Sequence, residues 1–154
     1  MKLVDKYRYN KLIKEGYIGE QANEIVKLLN DYPRAIMLID KTYSPDDIKE
    51  VHKLYSTKDI PLIIFLSNLE PQKRILIVKA YNKNEGPFAR ADRTWELITT
   101  IATNYDADVL RIFLEQIMVK EPNYVLLNLV RTAMDQNVDL NDLDFFKKNK
   151  VKTK

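Results

Sequence analysis

The stretch RAIMLIDKTYSPDDIKEVHKLYSTKDIPLIIFL, residues 34–66, decides the fold. Its two ends, Ala35–Ile39 and Pro61–Leu66, are apolar on every side, which suits a buried strand as well as a buried helix. Arg74–Tyr81 carries the same ambiguity. The centre of the stretch is not ambiguous. Ser44-Pro45-Asp46-Asp47 supplies an N-cap, a proline for the first helical turn, and carboxylates at the positive end of the helix dipole. Ile48, Val51 and Tyr55 then recur on one face. A helix over 44–56 is therefore the fixed point. The open choice is whether strands or further helices flank it.

Punctuation along the rest of the chain favours helices. Only three glycines occur in 154 residues. Tight hairpins and doubly wound sheets use glycine for positive φ, so this scarcity argues against a β-rich fold. Most of the six prolines stand where a helix would begin. Gly16 reads as a helix C-cap followed by a turn at Tyr17-Ile18-Gly19. Apolar residues recur at helical spacing in Ala22/Ile25/Val26/Leu29, Leu110/Phe113/Leu114/Ile117 and Leu126/Leu129/Val130/Ala133. Phe88/Ala91/Trp95/Ile98/Ala102 makes a longer stripe. Helices are expected near 4–15, 19–31, 44–56, 70–83, 88–104, 106–119, 122–136 and 140–148. The expected fold is all-α, a compact bundle of short antiparallel helices. The alternative is α+β, with a small sheet built from 34–40, 60–67 and 74–81. In that alternative Asp40 stands at a strand end.

This length suits one domain, expected over 1–146, with a candidate division near the polar segment 82–87. No fixed internal period emerges. The 25 basic and 22 acidic residues are unevenly placed. Five lysines fall in the last eight positions, leaving 20 basic against 22 acidic residues before them. Residues 147–154 therefore read as a basic, disordered tail on a near-neutral body. Lysine outnumbers arginine 18 to 7, and Asn, Ile and Tyr are abundant, a bias that fits an AT-rich genome and a reading frame of a virus or mobile element. The longest apolar run, Ile60 to Leu66, is far short of the roughly 20 residues a spanning helix needs. A cytoplasmic protein without membrane contact is expected.

The usual catalytic ingredients are scarce. There is no Cys and one His, His52, which lies on the 44–56 helix. Typical zinc sites and thiol nucleophiles are thereby left without ligands, and no Gly-x-Ser-x-Gly elbow or phosphate-cradling glycine loop exists. Asp46, Asp47 and Glu50 open a helix, as do Asp106 and Asp108, and the dipole explains both groups. Neither those nor Asp139, Asp142 and Asp144 match a calcium loop. No cofactor and no metal is expected. A metal-dependent phosphoryl-transfer enzyme built on scattered carboxylates is the enzymatic alternative.

Basic and aromatic residues are what remain. Nine tyrosines are many for this length, and Tyr7, Arg8 and Tyr9 crowd the N-terminal segment. Tyrosine and arginine are favoured at protein interfaces. Arg90 and Arg93 lie three apart on an expected helix. Tyr7, Arg8, Tyr9, Arg90 and Arg93 are the candidate interaction residues. They point to a non-catalytic adaptor or inhibitor that acts by forming a complex, with another protein or with itself. The alternative is a nucleic-acid-binding accessory protein that uses Lys73, Arg74, Arg90 and Arg93 as a phosphate-binding face, with Lys147, Lys148 and Lys150 of the tail.

Overall fold

A computed structural model describes residues 2–83 and 94–150 of the chain. The described residues form α-helices joined by short links and 3-10 turns, with no strand among them. The fold is all-α. In order the helices are α1 (Leu3–Lys14), α2 (Gly19–Asp31), α3 (Pro45–Ser56), α4 (Ile60–Ser67), α5 (Pro71–Lys83), α6 (Thr94–Asn104), α7 (Ala107–Ile117), α8 (Tyr124–Asp135) and α9 (Asp144–Asn149). The 3-10 segments are Pro33–Leu38 and Leu140–Asp142. The chain falls into two compact units, Met1–Val78 and Lys79–Lys154. Their boundary lies inside α5, whereas most of the 82–87 segment is outside the described residues.

The sheet alternative is excluded, because all three of its segments are helical. Residues 33–38 wind as a 3-10 helix behind Pro33, and 60–67 and 71–83 are α-helices. Local caps explain the outcome. Asp59 Oδ1 accepts from the Leu62 N–H at 3.2 Å, and Pro61 occupies the first turn of α4. Asp40, placed at a strand end in that alternative, instead folds its carboxylate onto the Thr42 N–H and hydroxyl. Those bonds hold the Asp40 carboxyl below its ordinary range.

Two more sequence expectations change at the C-terminal end. The single helix expected over 140–148 is a 3-10 turn followed by α9. Leu143 breaks it with extended backbone. The tail does not begin at Lys147. Lys147 and Lys148 occupy the last turn of α9, where positive charge suits the dipole. Lys150 bonds Asn141 and lies 3.7 Å from Asp106. Lys152 and Lys154 are outside the described residues.

In the first unit α2 is central. Ala22, Ile25 and Leu28 are buried against α1, α3 and the first 3-10 segment. Ser44 and Asp47 close a reciprocal capping box on α3, each accepting the other's N–H at 3.1 Å. Gln21 ties the start of α2 to the loop before α3. Its Oε1 accepts from the Ile18 N–H, and its Nε2 donates to the carbonyls of Lys41 and Tyr43.

A buried polar strut then joins that loop to α4 and α5. The Tyr43 hydroxyl donates to the Pro71 carbonyl at 2.6 Å. Arg74 is only 7% exposed, and its guanidinium donates to the carbonyls of Leu66 and Leu69, both at 3.0 Å. The Leu66 carbonyl, at the end of α4, also accepts from the Leu69 N–H at 3.1 Å, so Arg74 is its second donor, while the Leu69 carbonyl just beyond takes its bond from Arg74. The Arg74 guanidinium also sits beside the Tyr43 hydroxyl. Burial nonetheless pushes that hydroxyl up to about 12, with Arg74 pulling the other way.

In the second unit α7 is the core helix. Val109, Leu110, Ile112, Phe113, Leu114 and Ile117 are all buried. Asp106 and Asn123 cap α7 and α8 by accepting from Val109 N and Leu126 N. The Tyr105 hydroxyl accepts from the Leu140 N–H, holding the second 3-10 turn. Arg111 bonds Asp108 and Glu115 and reaches the Asn149 carbonyl at the end of α9.

Glycine scarcity has a visible consequence. α1 ends in a Schellman motif at Gly16, whose φ is 103°. α8 ends in the same motif at Asn137, with φ 55°, and α3 ends at Lys58, with φ 58°. Lysine has no side-chain bond to favour this left-handed conformation. Lys58→Gly is therefore expected to raise the unfolding free energy by about 0.5 kcal/mol. Gly16→Ala is expected to lower it by about 1–2 kcal/mol. An added Cβ at Gly16 would meet only the Lys41 ammonium, at an ordinary 3.5 Å, so that cost lies in the backbone. Urea unfolding of both variants checks the opposite signs.

The strut yields a second test. Arg74→Met strands the Leu69 carbonyl and removes one of two donors from the Leu66 carbonyl, and should cost about 2 kcal/mol, with Arg74→Lys recovering only part of it. The Tyr43 hydroxyl is raised in the folded state, so its contribution is complete below pH 10. It is lost as pH rises toward and through about 12. Tyr43→Phe should cost about 1 kcal/mol at neutral pH and flatten the alkaline fall in stability. Urea midpoints measured across the alkaline range would show a slope unchanged from wild type if the strut is absent.

Candidate functional site

α1 is the element whose sequence the fold does not account for. It buries one side chain, Leu12. Asp5, Arg8 and Tyr9 are partly covered on the side that meets α2. The Arg8 guanidinium donates to Asn30 Oδ1 at 2.9 Å. The Tyr9 hydroxyl would stand 3.0 Å from a Cβ placed on Gly19, so it lies against the start of α2. The opposite side faces solvent. Leu3 is 84% exposed, Val4 58% and Tyr7 70%. Lys2, Lys6, Lys11 and Lys14 are exposed beside them.

The sequence-derived interaction residues thus separate. Tyr7 stands on the open face, and Arg8 and Tyr9 serve the α1–α2 contact. Arg90 and Arg93 lie outside the described residues. Leu3 and Val4, which sequence reasoning passed over, complete the face. Their signal was present, because apolar residues in the first turn of a helix with one buried position have nothing to cover them.

The phosphate-binding face assigned to Lys73 and Arg74 requires correction. Both are buried, at 7% exposure, and Arg74 is committed to the carbonyls beyond α4. Lys73 lies 3.7 Å from Glu70. An arginine in the first turn of α5 looked unexplained by its own helix, and the preceding helix explains it. Lys147 and Lys148 are exposed on α9, and Lys150 is engaged with Asn141 and Asp106.

The remaining candidate chemistry is arranged for stability. His52 Nε2 lies 2.7 Å from Asp31 Oδ2, joining α2 to α3, and the ring meets Tyr32 edge-on. Asp47 and Asp106 are helix caps. Among the described residues no three His, Asp or Glu side chains gather as a metal site. A groove of about 610 Å³ lies along α2 and the start of α3, lined by Glu20, Glu24, Lys27 and Lys49 among others, with Asp5 of α1 at its side. Lys27 pairs with Glu24 and Lys49 with Asp46, so its cations are neutralised within the fold.

Other apolar side chains also reach solvent. Ile60 and Ile64 lie one turn apart on α4, which packs on the 3-10 segment that exposes Ile36 and Met37. Tyr124, Val125 and Leu129 are exposed on α8. The α4 residues were hidden from sequence reading because a run apolar on every side is taken as wholly buried. No helix among the described residues is long and apolar enough to cross a membrane. Set against protein-family models, curated proteins and solved structures, this chain matches none of them.

Proposed function

We propose that this chain is a non-catalytic helical binding protein that acts by forming a complex through the outer face of α1. One observation carries this reading: Leu3, Val4 and Tyr7 stand in solvent on a helix that buries only Leu12. Burying such side chains against a partner is favourable by about 25 cal/mol per Å² before the costs of association. Tyrosine suits the centre of such a contact, since it offers a large rigid surface with a polar end. The alternative nucleic-acid reading loses support from Lys73 and Arg74, whose charged groups face the interior.

The test is capture by the tagged full-length chain from lysate of the source cell or its host, with and without nuclease. Wild type is compared with Leu3→Ser/Tyr7→Ala. A stoichiometric protein that survives nuclease and is lost with the double variant is the expected result. Both positions are exposed, so the variant should keep the wild-type circular dichroism spectrum and melting temperature. Nuclease-sensitive recovery, or a captured protein indifferent to the double variant, would remove α1 as the binding surface.

A further inference from the structure

We propose that the partner of α1 is a protein whose apolar groove is rimmed by Asp and Glu side chains; this rests on the binding reading above and adds the chemistry of the partner. Leu3, Tyr7, Lys11 and Lys14 follow i, i+4, i+8, i+11 spacing, so they line one face, with Val4 and Lys6 at its edges. The face is therefore apolar over its first two turns and cationic along its length. Among the described residues none of Lys2, Lys6, Lys11 and Lys14 has an ion pair. The acidic residue within α1, Asp5, lies on the inner side and lines the groove there.

Folding calls for only part of this arrangement: Lys11 and Lys14 stand in the last turn of α1, where the dipole favours them, but the first turn is different. Lys2 is the N-cap of α1 and makes no capping bond. Lys2 and Lys6 put positive charge at the positive end of the helix dipole, and as an i, i+4 like-charge pair they weaken the helix. Leu3 and Val4 beside them leave apolar surface in water. Every one of these choices becomes favourable against an acidic surface with an apolar centre. Carboxylates would neutralise the lysines and the dipole end together, while Leu3, Val4 and Tyr7 leave water. A phosphate backbone would satisfy the lysines and leave Leu3 and Val4 exposed. An anionic bilayer would have only three apolar side chains to take up, and membrane affinity of this kind scales with buried apolar area.

The probe is a synthetic helical peptide with leucines along one face flanked by glutamates, titrated into the full-length chain. Its lysine-flanked counterpart, poly-glutamate, phosphatidylserine–phosphatidylcholine vesicles and a single-stranded oligonucleotide are run beside it. Binding is read by fluorescence anisotropy and mapped by amide chemical shifts. Saturable binding of the glutamate-flanked peptide is expected, with shifts confined to α1 and affinity falling as salt rises. Lys6→Glu/Lys11→Glu should weaken it about tenfold, and Tyr7→Ala should do likewise. No saturable binding, equal binding of the lysine-flanked peptide, or tighter binding to vesicles or oligonucleotide would overturn the proposal. The two readings fail separately. A cellular protein captured in a Tyr7-dependent way, together with no binding of the acidic peptide, removes the acidic partner and leaves the binding function standing.

Discussion

The guanidinium of Arg74 is the constraint on which the first unit depends. α4 is apolar on nearly every side, so it packs well, and Asn68 and Leu69 bond the carbonyls of its last turn but leave the Leu69 carbonyl beyond it to be met from elsewhere. Leaving such a carbonyl buried and unbonded costs about 1–3 kcal/mol. From the first turn of the next helix, Arg74 bonds the Leu69 carbonyl and gives the Leu66 carbonyl a second donor. Tyr43 closes the same region from the other side by bonding the Pro71 carbonyl. Gln21 in turn holds the Tyr43 carbonyl. Three polar side chains thus satisfy the backbone where apolar segments meet, and α2, the 40–44 loop, α4 and α5 are fixed to one another by direction as well as by area.

The second unit solves the same problem with local means. Asp106 and Asn123 cap their own helices, and Asn137 closes α8 in a left-handed conformation in place of glycine. Arg111 reaches across to the end of α9, a smaller version of what Arg74 does. A chain with three glycines ends its helices with whatever residue is present. Asparagine tolerates positive φ, and lysine at position 58 does so against its steric preference.

α1 differs from the other helices because its local choices oppose one another. In α3, α7 and α8 cap and periodicity agree, which is what makes a sequence specify one structure. In α1 Lys2 and Lys6 stand at the positive end of the dipole, and the largest exposed apolar side chains of the element stand beside them. Places where local rules fail without a compensating contact are where function is expected. That contrast within one chain singles out α1 more firmly than exposure alone.

By itself the sequence determined the class of the fold and most helix starts. Ser44, Asp59 and Asp106 act within four residues of their own position, so a linear reading finds them or their prolines. Gly16 as a helix terminator is legible for the same reason. Tyr7 as a surface residue was legible as a type, tyrosine beside bases, but not as a direction. Tertiary structure decided the rest. Runs such as 60–66 carry no periodicity, so which of their side chains are covered and which, like Ile60 and Ile64, reach solvent was set only once neighbouring elements were in place. The role of Arg74 depends on carbonyls five and eight residues back, across a turn between two helices. Lys150 became a fixed residue through Asn141 and Asp106. Local hydrogen bonding is written in adjacent residues, whereas the partner of a long side chain exists only once the chain has folded around it.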